Sequence, residues 1–347
     1  MKKAAPLAAC LALIAGIAAT SAAHAEWVTR VTDGIMGTRI TVELWADDEA
    51  KAQPAIEAVL AEMRHIDDSM STYKSTSEVS QVNAHAAEGP MHISKELFDL
   101  LTTARQYSVL TEGAFDITYA SVGYMYDFRK RMRPTEAQID AALPAINYEH
   151  VVLDPAAQTV RFSQQGVRID LGGIAKGYAV DRGIDVLKSF RITRAYVSAG
   201  GDSRIIGDRF GKPWIVGVRD PRKGPGEALL RIPLVDAAIS TSGDYERFFD
   251  EGGVRYHHII DPHTGHSASK VRSATVIAPT ATRTDGLSKT AFVLGPDAAM
   301  EIYNRIDDID AIIVKLDGTV VYSKGMRHAA PTPATQQPAG QPPAANP

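Results

Sequence analysis

Cysteine is almost missing from this sequence. Among 347 residues there is a single cysteine, Cys10, and it lies in an apolar stretch at the N-terminus. If that stretch is removed, the mature chain has no disulfide bond, no cysteine nucleophile and no thiolate ligand for a metal. An ordinary hydrophobic core must therefore supply the stability of the fold.

An excess of charge of one sign is lacking as well. The formal net charge is −4, and lysine and arginine do not collect in a basic stripe. Proteins that bind nucleic acids usually carry such a stripe or patch, because they must neutralise phosphates. The sequence therefore indicates that nucleic acid is not a partner.

The N-terminus has the layout of a secretory signal. Lys2 and Lys3 precede an apolar run over residues 4–19, and Ala23-His24-Ala25 follows. A positive start, an apolar centre and small residues at the cleavage site are typical of a signal peptide that is removed. The pattern predicts a signal peptide over residues 1–25 and a periplasmic mature protein.

Two alternatives would keep the chain at the membrane. An uncleaved anchor would need a longer apolar run, since a spanning helix takes about 20 residues. Lipidation at Cys10 is the other alternative, because Leu7-Ala8-Ala9 precedes this cysteine as in a lipobox. Few apolar residues come before Cys10, so cleavage after Ala25 is the preferred interpretation, and membrane attachment is expected only if Cys10 is lipidated.

The rest of the chain predicts one mixed domain and a tail. Residues 328–347 are rich in proline, alanine and glutamine and are predicted to be disordered. Residues 26–327 suffice for one large domain. Hydrophobic spacing and caps predict helices near 49–66, 95–110, 135–143, 175–189, 285–294 and 297–306. Alternation predicts strands near 37–45, 150–153, 158–163, 167–170, 194–198, 204–207, 213–218, 228–235, 273–278, 311–316 and 319–323. Because strands and helices follow no regular βαβ order, the class is α+β.

A glycine turn between a strand and a helix is the most informative segment. Asp170-Leu-Gly-Gly-Ile-Ala-Lys176 joins the predicted strand 167–170 to the predicted helix 175–189. Such a turn directs free backbone N–H groups and the positive helix end at its ligand, most often a phosphate. Lys176 would add a cation there, and Asp170 a hydrogen-bond acceptor or a carboxylate that faces a metal. Glycines that serve only close packing are the alternative.

Four histidines fall within residues 257–266, and three interpretations compete. A zinc site would need imidazoles that converge, but Pro262 and Gly265 break any helix that could align them. One histidine could instead be a general base while the others are exposed. The third interpretation is a plain polar turn.

Three further polar residues have both a structural and a functional interpretation. Tyr73 lies in a polar loop, where it could pack against the core or stack on a flat ligand. Asp116 lies between apolar residues, where it could cap a turn or face a ligand. Asp285 opens a predicted helix, where it could be an N-cap or could hold Mg²⁺ with nearby hydroxyls.

Eight motifs, in this order, resemble the ApbE family of FAD:protein FMN transferases. The motifs are Met36-Gly37-Thr38, Met70-Ser71-Thr72-Tyr73, Gly113 to Thr118, Asp170 to Gly177, Ala199-Gly200-Gly201-Asp202, Thr241 to Glu246, His258 to Pro262 with Thr264-Gly265, and Asp285 to Gly295. The resemblance covers about residues 30–325. It implies an α+β, T-fold-like architecture with mixed or antiparallel sheets and flanking helices.

The resemblance also implies a reaction and a set of site residues. The reaction moves FMN from the substrate FAD to a Thr or Ser hydroxyl of an acceptor flavoprotein and releases AMP, with Mg²⁺ as cofactor. Acceptors would be subunits of membrane redox complexes or periplasmic flavoproteins. The matched catalytic residues are His258, as base, and Asp285. The matched FAD contacts are Met36, Tyr73, Ala114, Phe115, Asp116, Asp170, Lys176 and Ile260. The matched Mg²⁺ ligands are Gly173, through its carbonyl, and Asp285.

One position departs from the family pattern. Where the family has a threonine ligand four residues after the metal-binding aspartate, this chain has Lys289, and Thr290 comes one residue later. Because each helical residue turns by about 100°, Thr290 is expected to face away from Asp285. Either Ser288 replaces the missing ligand, or the Lys289 ammonium takes the place of the cation. Lys289 therefore leaves open a non-enzymatic flavin-binding protein. A Mg²⁺-dependent FAD pyrophosphatase also stays open, because it would use the same residues with water as the acceptor.

Overall fold

The computed structural model describes residues 25–224 and 226–328. Nearly all of the predicted signal peptide, including Cys10, and nearly all of the predicted tail lie outside the described residues, so both stay predictions. Within the described ranges, no helix is long and apolar enough to cross a membrane.

Strands and helices alternate irregularly along the chain, as the sequence predicts. The strands are β1 Glu26–Ile35, β2 Thr38–Ala46, β3 Met91–His92, β4 Val151–Asp154, β5 Thr159–Phe162, β6 Ala195–Ala199, β7 Asp202–Ile206, β8 Trp214–Arg219, β9 Ala228–Leu234, β10 Ala238–Gly243, β11 Phe248–Glu251, β12 Val254–His257, β13 Val271–Ala278, β14 Asp310–Lys315 and β15 Val320–Tyr322. The α-helices are α1 Glu49–Met70, α2 Glu78–His85, α3 Lys95–Leu110, α4 Ala120–Gly123, α5 Glu136–Ala142, α6 Ala175–Ser189, α7 Ala281–Leu287, α8 Thr290–Leu294, α9 Pro296–Tyr303 and α10 Lys324–His328.

A large antiparallel sheet organises the fold. Its strand order is β1-β2-β6-β7-β10-β13-β14-β15, and neighbouring strands run antiparallel throughout. Smaller antiparallel sheets pair β3-β5-β4, β8-β9 and β11-β12. The predicted α+β class with antiparallel sheets and flanking helices is thus confirmed.

The two faces of the large sheet bury different partners because side chains alternate along each strand. On one face, Ala274 and Val276 of β13 pack with α8 and α9. On the other face, Ile277 of the same strand packs with Trp214 of the β8–β9 hairpin. Helices α1 and α6 pack against each other and cover the β2–β6–β7 side of the sheet. This arrangement fixes the start of α6 beside α7.

The predicted strand 167–170 is wrong. Residues 167–170 belong to no helix or strand. Side chains supply their backbone hydrogen bonds instead: the Asn83 amide bonds both the N–H (2.7 Å) and the carbonyl (2.8 Å) of Ile169. Ser121 likewise accepts from the Arg168 N–H at 3.0 Å. Side chains of helices α2 and α4, rather than a neighbouring strand, therefore hold the segment in place.

The predicted start of the helix at Asp285 is also wrong. Helix α7 begins at Ala281, so Asp285 lies in its second half, and a break at Ser288 and Lys289 separates α7 from α8. Strand β1, helix α2 and the β11–β12 hairpin are further elements that the sequence analysis did not predict. Helices α3 and α6 and the capping box of Thr135 with Gln138 agree with prediction.

Candidate active site

Helices α6 and α7 approach each other more closely than side chains normally allow. The contact is made at Gly177, where a Cβ atom would overlap the carbonyl oxygen of Ala281 and lie 2.8 Å from the Cβ of Asp285. Only glycine fits between the two backbones. The second half of the Asp170–Gly177 motif therefore brings α6 against Asp285.

Each of these helices has its N-terminus capped by a carboxylate of the other. The Gly177 N–H donates to Oδ2 of Asp285 at 3.0 Å. In return, the Ala281 and Thr282 N–H groups donate to Asp181 at 2.9 and 2.8 Å. Neither helix has a side-chain cap from its own N-cap residue. The exchange satisfies free N–H groups that would otherwise be buried without partners.

Lys176 bridges two carboxylates, those of Asp202 and Asp285. Its Nζ lies 2.6 Å from Asp202 Oδ2 and 3.4 Å from Asp285 Oδ2. Burial favours the neutral amine, but the two carboxylates outweigh burial and raise the pKa of Lys176 above its usual range. Asp202, which the sequence analysis did not assign to the site, thus belongs to it.

Lys289 reaches the oxygens that the family resemblance assigns to Mg²⁺. Its Nζ lies 3.2 Å from the Gly173 carbonyl oxygen and 2.7 Å from the Asp285 carbonyl oxygen, and it contacts Oδ1 of Asp285. Although burial favours the protonated acid, Lys176 and Lys289 hold the pKa of Asp285 below its usual range. The Asp285 side chain is fully buried, so these lysines neutralise it.

The donor set does not fit Mg²⁺. Magnesium prefers octahedral oxygen ligands at about 2.0–2.1 Å, and an ion bound to the oxygens of Gly173 and Asp285 would occupy the space filled by the Lys289 Nζ. Ser288, the predicted substitute ligand, donates to the Asp285 carbonyl at 2.9 Å and pairs with Ser242 at 2.8 Å. Among the described residues, no group of three or more His, Cys, Asp or Glu side chains could hold a metal.

The four histidines of residues 257–266 separate. His257 is buried against Phe292. His263 and His266 are exposed and pair with Asp261 and Glu136 at 3.0 and 3.3 Å. They do not converge, so the zinc interpretation is wrong.

His258 is the histidine that faces the site. Its Nδ1 is buried without a hydrogen-bond partner. Burial, with smaller contributions from the charges of His257, Arg247, Lys289 and Lys176, lowers the pKa of His258 to about 3. The imidazole is therefore neutral at pH 7 and lies within electrostatic range of both lysines. A general base must start unprotonated in this way.

Asp170 holds the glycine turn together. Its oxygens accept from the Gly172 N–H at 2.7 Å, from the Thr72 hydroxyl at 2.8 Å and from the Tyr119 hydroxyl at 3.1 Å. Thr72 is the neighbour of Tyr73, so Asp170 also ties the polar loop to the turn. The Tyr73 side chain is 90% exposed, which excludes the core-packing interpretation and leaves its ring free to stack on a ligand.

Asp116 is a capping residue. It accepts from the Thr118 N–H and hydroxyl at 2.8 and 2.6 Å and from the Tyr148 N–H at 2.8 Å. Burial raises its pKa despite these bonds. Its neighbours Ala114 and Phe115 are buried, and a Cβ at Gly173 would lie 3.3 Å from the Phe115 ring. This segment thus lies directly behind the glycine turn.

Tight turns at one end of the large sheet complete the surroundings. Met36 and Gly37, both with positive φ, form the two-residue turn of the β1–β2 hairpin. A Cβ at Gly37 would lie 3.9 Å from the Arg247 guanidinium, and the Arg247 carbonyl accepts from the His258 N–H at 3.1 Å. Ile260 is buried and bridges to Ser267. The roles predicted for Met36 and Ile260 as FAD contacts stay predictions.

Sequence reasoning missed some residues of this site. Asp202 carried a signal, since Gly200-Gly201 before it repeats the glycine pair of Gly172-Gly173, but the sequence analysis assigned it no role. No sequence pattern indicated a role for Asp181 or Tyr119 in the site, because their hydrogen-bond partners are distant in sequence. Arg247 is exposed, and within the described ranges its side chain has no hydrogen bond or ion pair, so its guanidinium is available to a ligand.

The motifs, the sheet topology and the lysine–carboxylate site together define an α+β protein, and comparisons with known proteins assign it to a family. The model of the ApbE family matches residues 36–313. An FAD:protein FMN transferase from Vibrio cholerae is 33% identical over 78% of this chain and 81% of that protein. One from Haemophilus influenzae is 32% identical over 82% of this chain and 86% of that protein.

A solved structure agrees with the sequence comparisons. The ApbE protein from Thermotoga maritima is 35% identical, covers 87% of this chain and 99% of its own, and superposes with a TM-score of 0.80. The chain belongs to the ApbE family, as its motifs predict.

Proposed function

We propose that this chain is a transferase that moves FMN from FAD to a Thr or Ser hydroxyl of an acceptor flavoprotein and releases AMP. The observation that carries the proposal is the neutral His258, whose Nδ1 has no hydrogen-bond partner and which lies within electrostatic range of Lys176 and Lys289. A base next to fixed cations suits the attack of a hydroxyl on a pyrophosphate. The activity printed for the relatives from Vibrio cholerae and Haemophilus influenzae supports the same reaction.

The bond changes follow from the charges at the site. The acceptor hydroxyl oxygen attacks the phosphorus on the FMN side, the bond from that phosphorus to the bridging oxygen breaks, and AMP leaves with the bridging oxygen. Lys176 stabilises the charge that develops on the pyrophosphate. The hydroxyl proton moves to the imidazole of His258, and this assistance contributes typically about 10²- to 10⁴-fold.

Bound substrate would make His258 a better base. Its pKa of about 3 belongs to a site in which the charges of Arg247, Lys289 and Lys176 are not offset by an anion. A pyrophosphate brings negative charge close to the imidazole, and such charge raises the pKa of a histidine. The base would therefore gain strength when FAD is bound.

The other contacts predicted for FAD surround this centre. Asp170 and Lys176 belong to the glycine turn and the start of α6, while Ala114, Phe115 and Asp116 lie behind it. The exposed ring of Tyr73 is suited to stack on a planar ring of FAD. Mg²⁺, which the family resemblance implies, has no place in this mechanism, because Lys289 contacts the predicted ligand oxygens.

The acceptor and the location belong to the same proposal. A signal peptide over residues 1–25 would export the chain. Acceptors would then be periplasmic flavoproteins or periplasmic parts of membrane redox complexes. Their Thr or Ser must be exposed, since the oxygen has to approach His258.

A covalent-labelling experiment tests the activity. The mature protein is incubated with FAD and a co-exported flavoprotein, and the acceptor is analysed by mass and by in-gel fluorescence. We expect one FMN phosphoester per acceptor and stoichiometric AMP. Rapid formation of free FMN and AMP without an acceptor would instead identify a pyrophosphatase, and FAD binding without cleavage would identify a flavin-binding protein.

A further inference from the structure

We propose that the Lys289 ammonium is the permanent cation of this site and takes the place of a divalent metal, so that FAD binds without Mg²⁺. The proposal rests on the proposed function for the identity of its ligand. It makes Lys289 a positioning residue, which acts through its charge and through the groups that it holds.

The first argument is that the ammonium is fully satisfied. A lysine Nζ has three N–H donors and no acceptor. The three acceptors around Lys289 are the carbonyl oxygen of Gly173, the carbonyl oxygen of Asp285 and Oδ1 of Asp285. Donors and acceptors match in number, as they do when a side chain is part of a built site.

The second argument concerns the origin of these oxygens. Gly173 belongs to the turn before α6, whereas Asp285 belongs to α7, and the two residues are far apart in sequence. Lys289 is four residues after Asp285, just beyond the end of α7. One cation therefore joins the phosphate-binding turn to the facing helix, which is the position where a metal would otherwise hold them together.

The third argument concerns charge and space. The Lys289 side chain is 18% exposed and the Asp285 side chain 0% exposed. Oδ2 of Asp285 already binds the Gly177 N–H and Lys176. A divalent ion would have to displace Lys289 and lie beside Lys176, while the carboxylate is already neutralised. Like charges at such separations repel strongly in a buried site, so Lys289 disfavours Mg²⁺.

The test compares the parent protein with Lys289→Thr and Lys289→Met. Threonine removes the charge and offers an oxygen to a metal, whereas methionine removes the charge and offers none. FAD affinity is measured by titration calorimetry in excess EDTA and again in millimolar Mg²⁺. Thermal unfolding midpoints without FAD are measured in the same two buffers.

A distant ion pair supplies the matched control. Lys95 and Asp99 on α3 also form an i,i+4 ion pair, with 2.6 Å between Nζ and Oδ2. Unlike the Lys289–Asp285 pair, it is exposed to solvent. Lys95→Thr removes the same type of contact from a helix surface away from the site. We expect Lys95→Thr to bind FAD as the parent protein does in both buffers.

The expected results differ for the three proteins. The parent should bind FAD equally in EDTA and in Mg²⁺, with no shift of its unfolding midpoint. Lys289→Thr should bind FAD about 10- to 100-fold more weakly in EDTA, as expected for loss of charge-assisted bonds, and Mg²⁺ should restore the affinity. Lys289→Met should be weakened without recovery.

Three outcomes would overturn the proposal. The first is an FAD affinity or midpoint of the parent protein that requires Mg²⁺, and this measurement stands even if the variants do not fold. The second is a Lys289→Thr protein that binds FAD normally in EDTA. The third is equal recovery of Lys289→Thr and Lys289→Met by Mg²⁺. Because binding is measured without an acceptor, failure of FMN transfer would leave these results unaffected.

Discussion

At the scale of single residues, His258 gives the most direct prediction. We expect His258→Asn to slow covalent FMN transfer by about 10²- to 10⁴-fold, while FAD affinity changes little because the imidazole acts on the acceptor hydroxyl. Rates of acceptor labelling and calorimetric FAD titration measure the two effects. His266→Asn, on the exposed turn, is the control. A His258→Asn enzyme as fast as the parent would exclude the residue as the base.

The buried histidine beside it predicts how stability depends on pH. Burial lowers the pKa of His257 from 6.5 to about 4. Between those values the unfolded chain binds a proton that the folded chain does not, so stability falls as the pH falls from about 6.5 towards 4. The shift corresponds to at most about 3.5 kcal/mol. Urea unfolding of the parent and of His257→Gln should show a shallower loss in the variant, and identical slopes would contradict this origin.

Individual residues also show where sequence reasoning reached its limit. The motif at Asp170–Gly177 predicted the position of Lys176 in the site, because a turn and a helix start are local features. It could not predict the partner of Lys176, since Asp202 is 26 residues away. The sequence left two possibilities at the predicted metal site: Ser288 as a substitute ligand, or the Lys289 ammonium in place of the cation. It could not decide between them, because it does not show which oxygens a lysine reaches.

At the scale of elements, the contact of α6 with α7 depends on Gly177. We expect Gly177→Ala to destabilise the protein by about 1–3 kcal/mol, the usual cost of overpacking, because the added Cβ would overlap the Ala281 backbone. FAD affinity should fall too, since Asp285 would move. Gly217→Ala in β8, where a Cβ meets only an ordinary contact at 3.5 Å, is the control in urea unfolding and calorimetry. Equal stability of the two variants would argue against the close contact.

Element boundaries were predicted where the capping signal was local. Helix α3 begins after Ser94, whose hydroxyl accepts from the Leu97 N–H at 3.2 Å, and its limits agree with the prediction. Helix α7 has no such signal, because its cap is Asp181, a residue 100 positions earlier. The strand predicted over residues 167–170 was wrong for the same reason. Asn83, which is distant in sequence, supplies the hydrogen bonds that a neighbouring strand would give.

At the scale of the whole molecule, stability should not depend on redox conditions. The described residues include no cysteine, and Cys10 lies in the predicted signal peptide. We expect the protein beginning at Glu26 to unfold at the same temperature with and without a thiol reductant, because no disulfide can be reduced. Differential scanning calorimetry measures this directly. A midpoint that falls in reductant would contradict this prediction, because the sequence from Glu26 onward contains no cysteine.

Helices α6 and α7 cap each other, so the site forms only when both helices are folded. Each helix supplies the carboxylate that caps the N-terminus of the other. The lysines contact all of their oxygen partners only when both helices are in place. Under the proposed function, a chain that has formed only one of the two helices cannot bind the pyrophosphate of FAD. Flavin binding would then require both helices to be folded, and an incompletely folded protein would neither retain nor consume flavin.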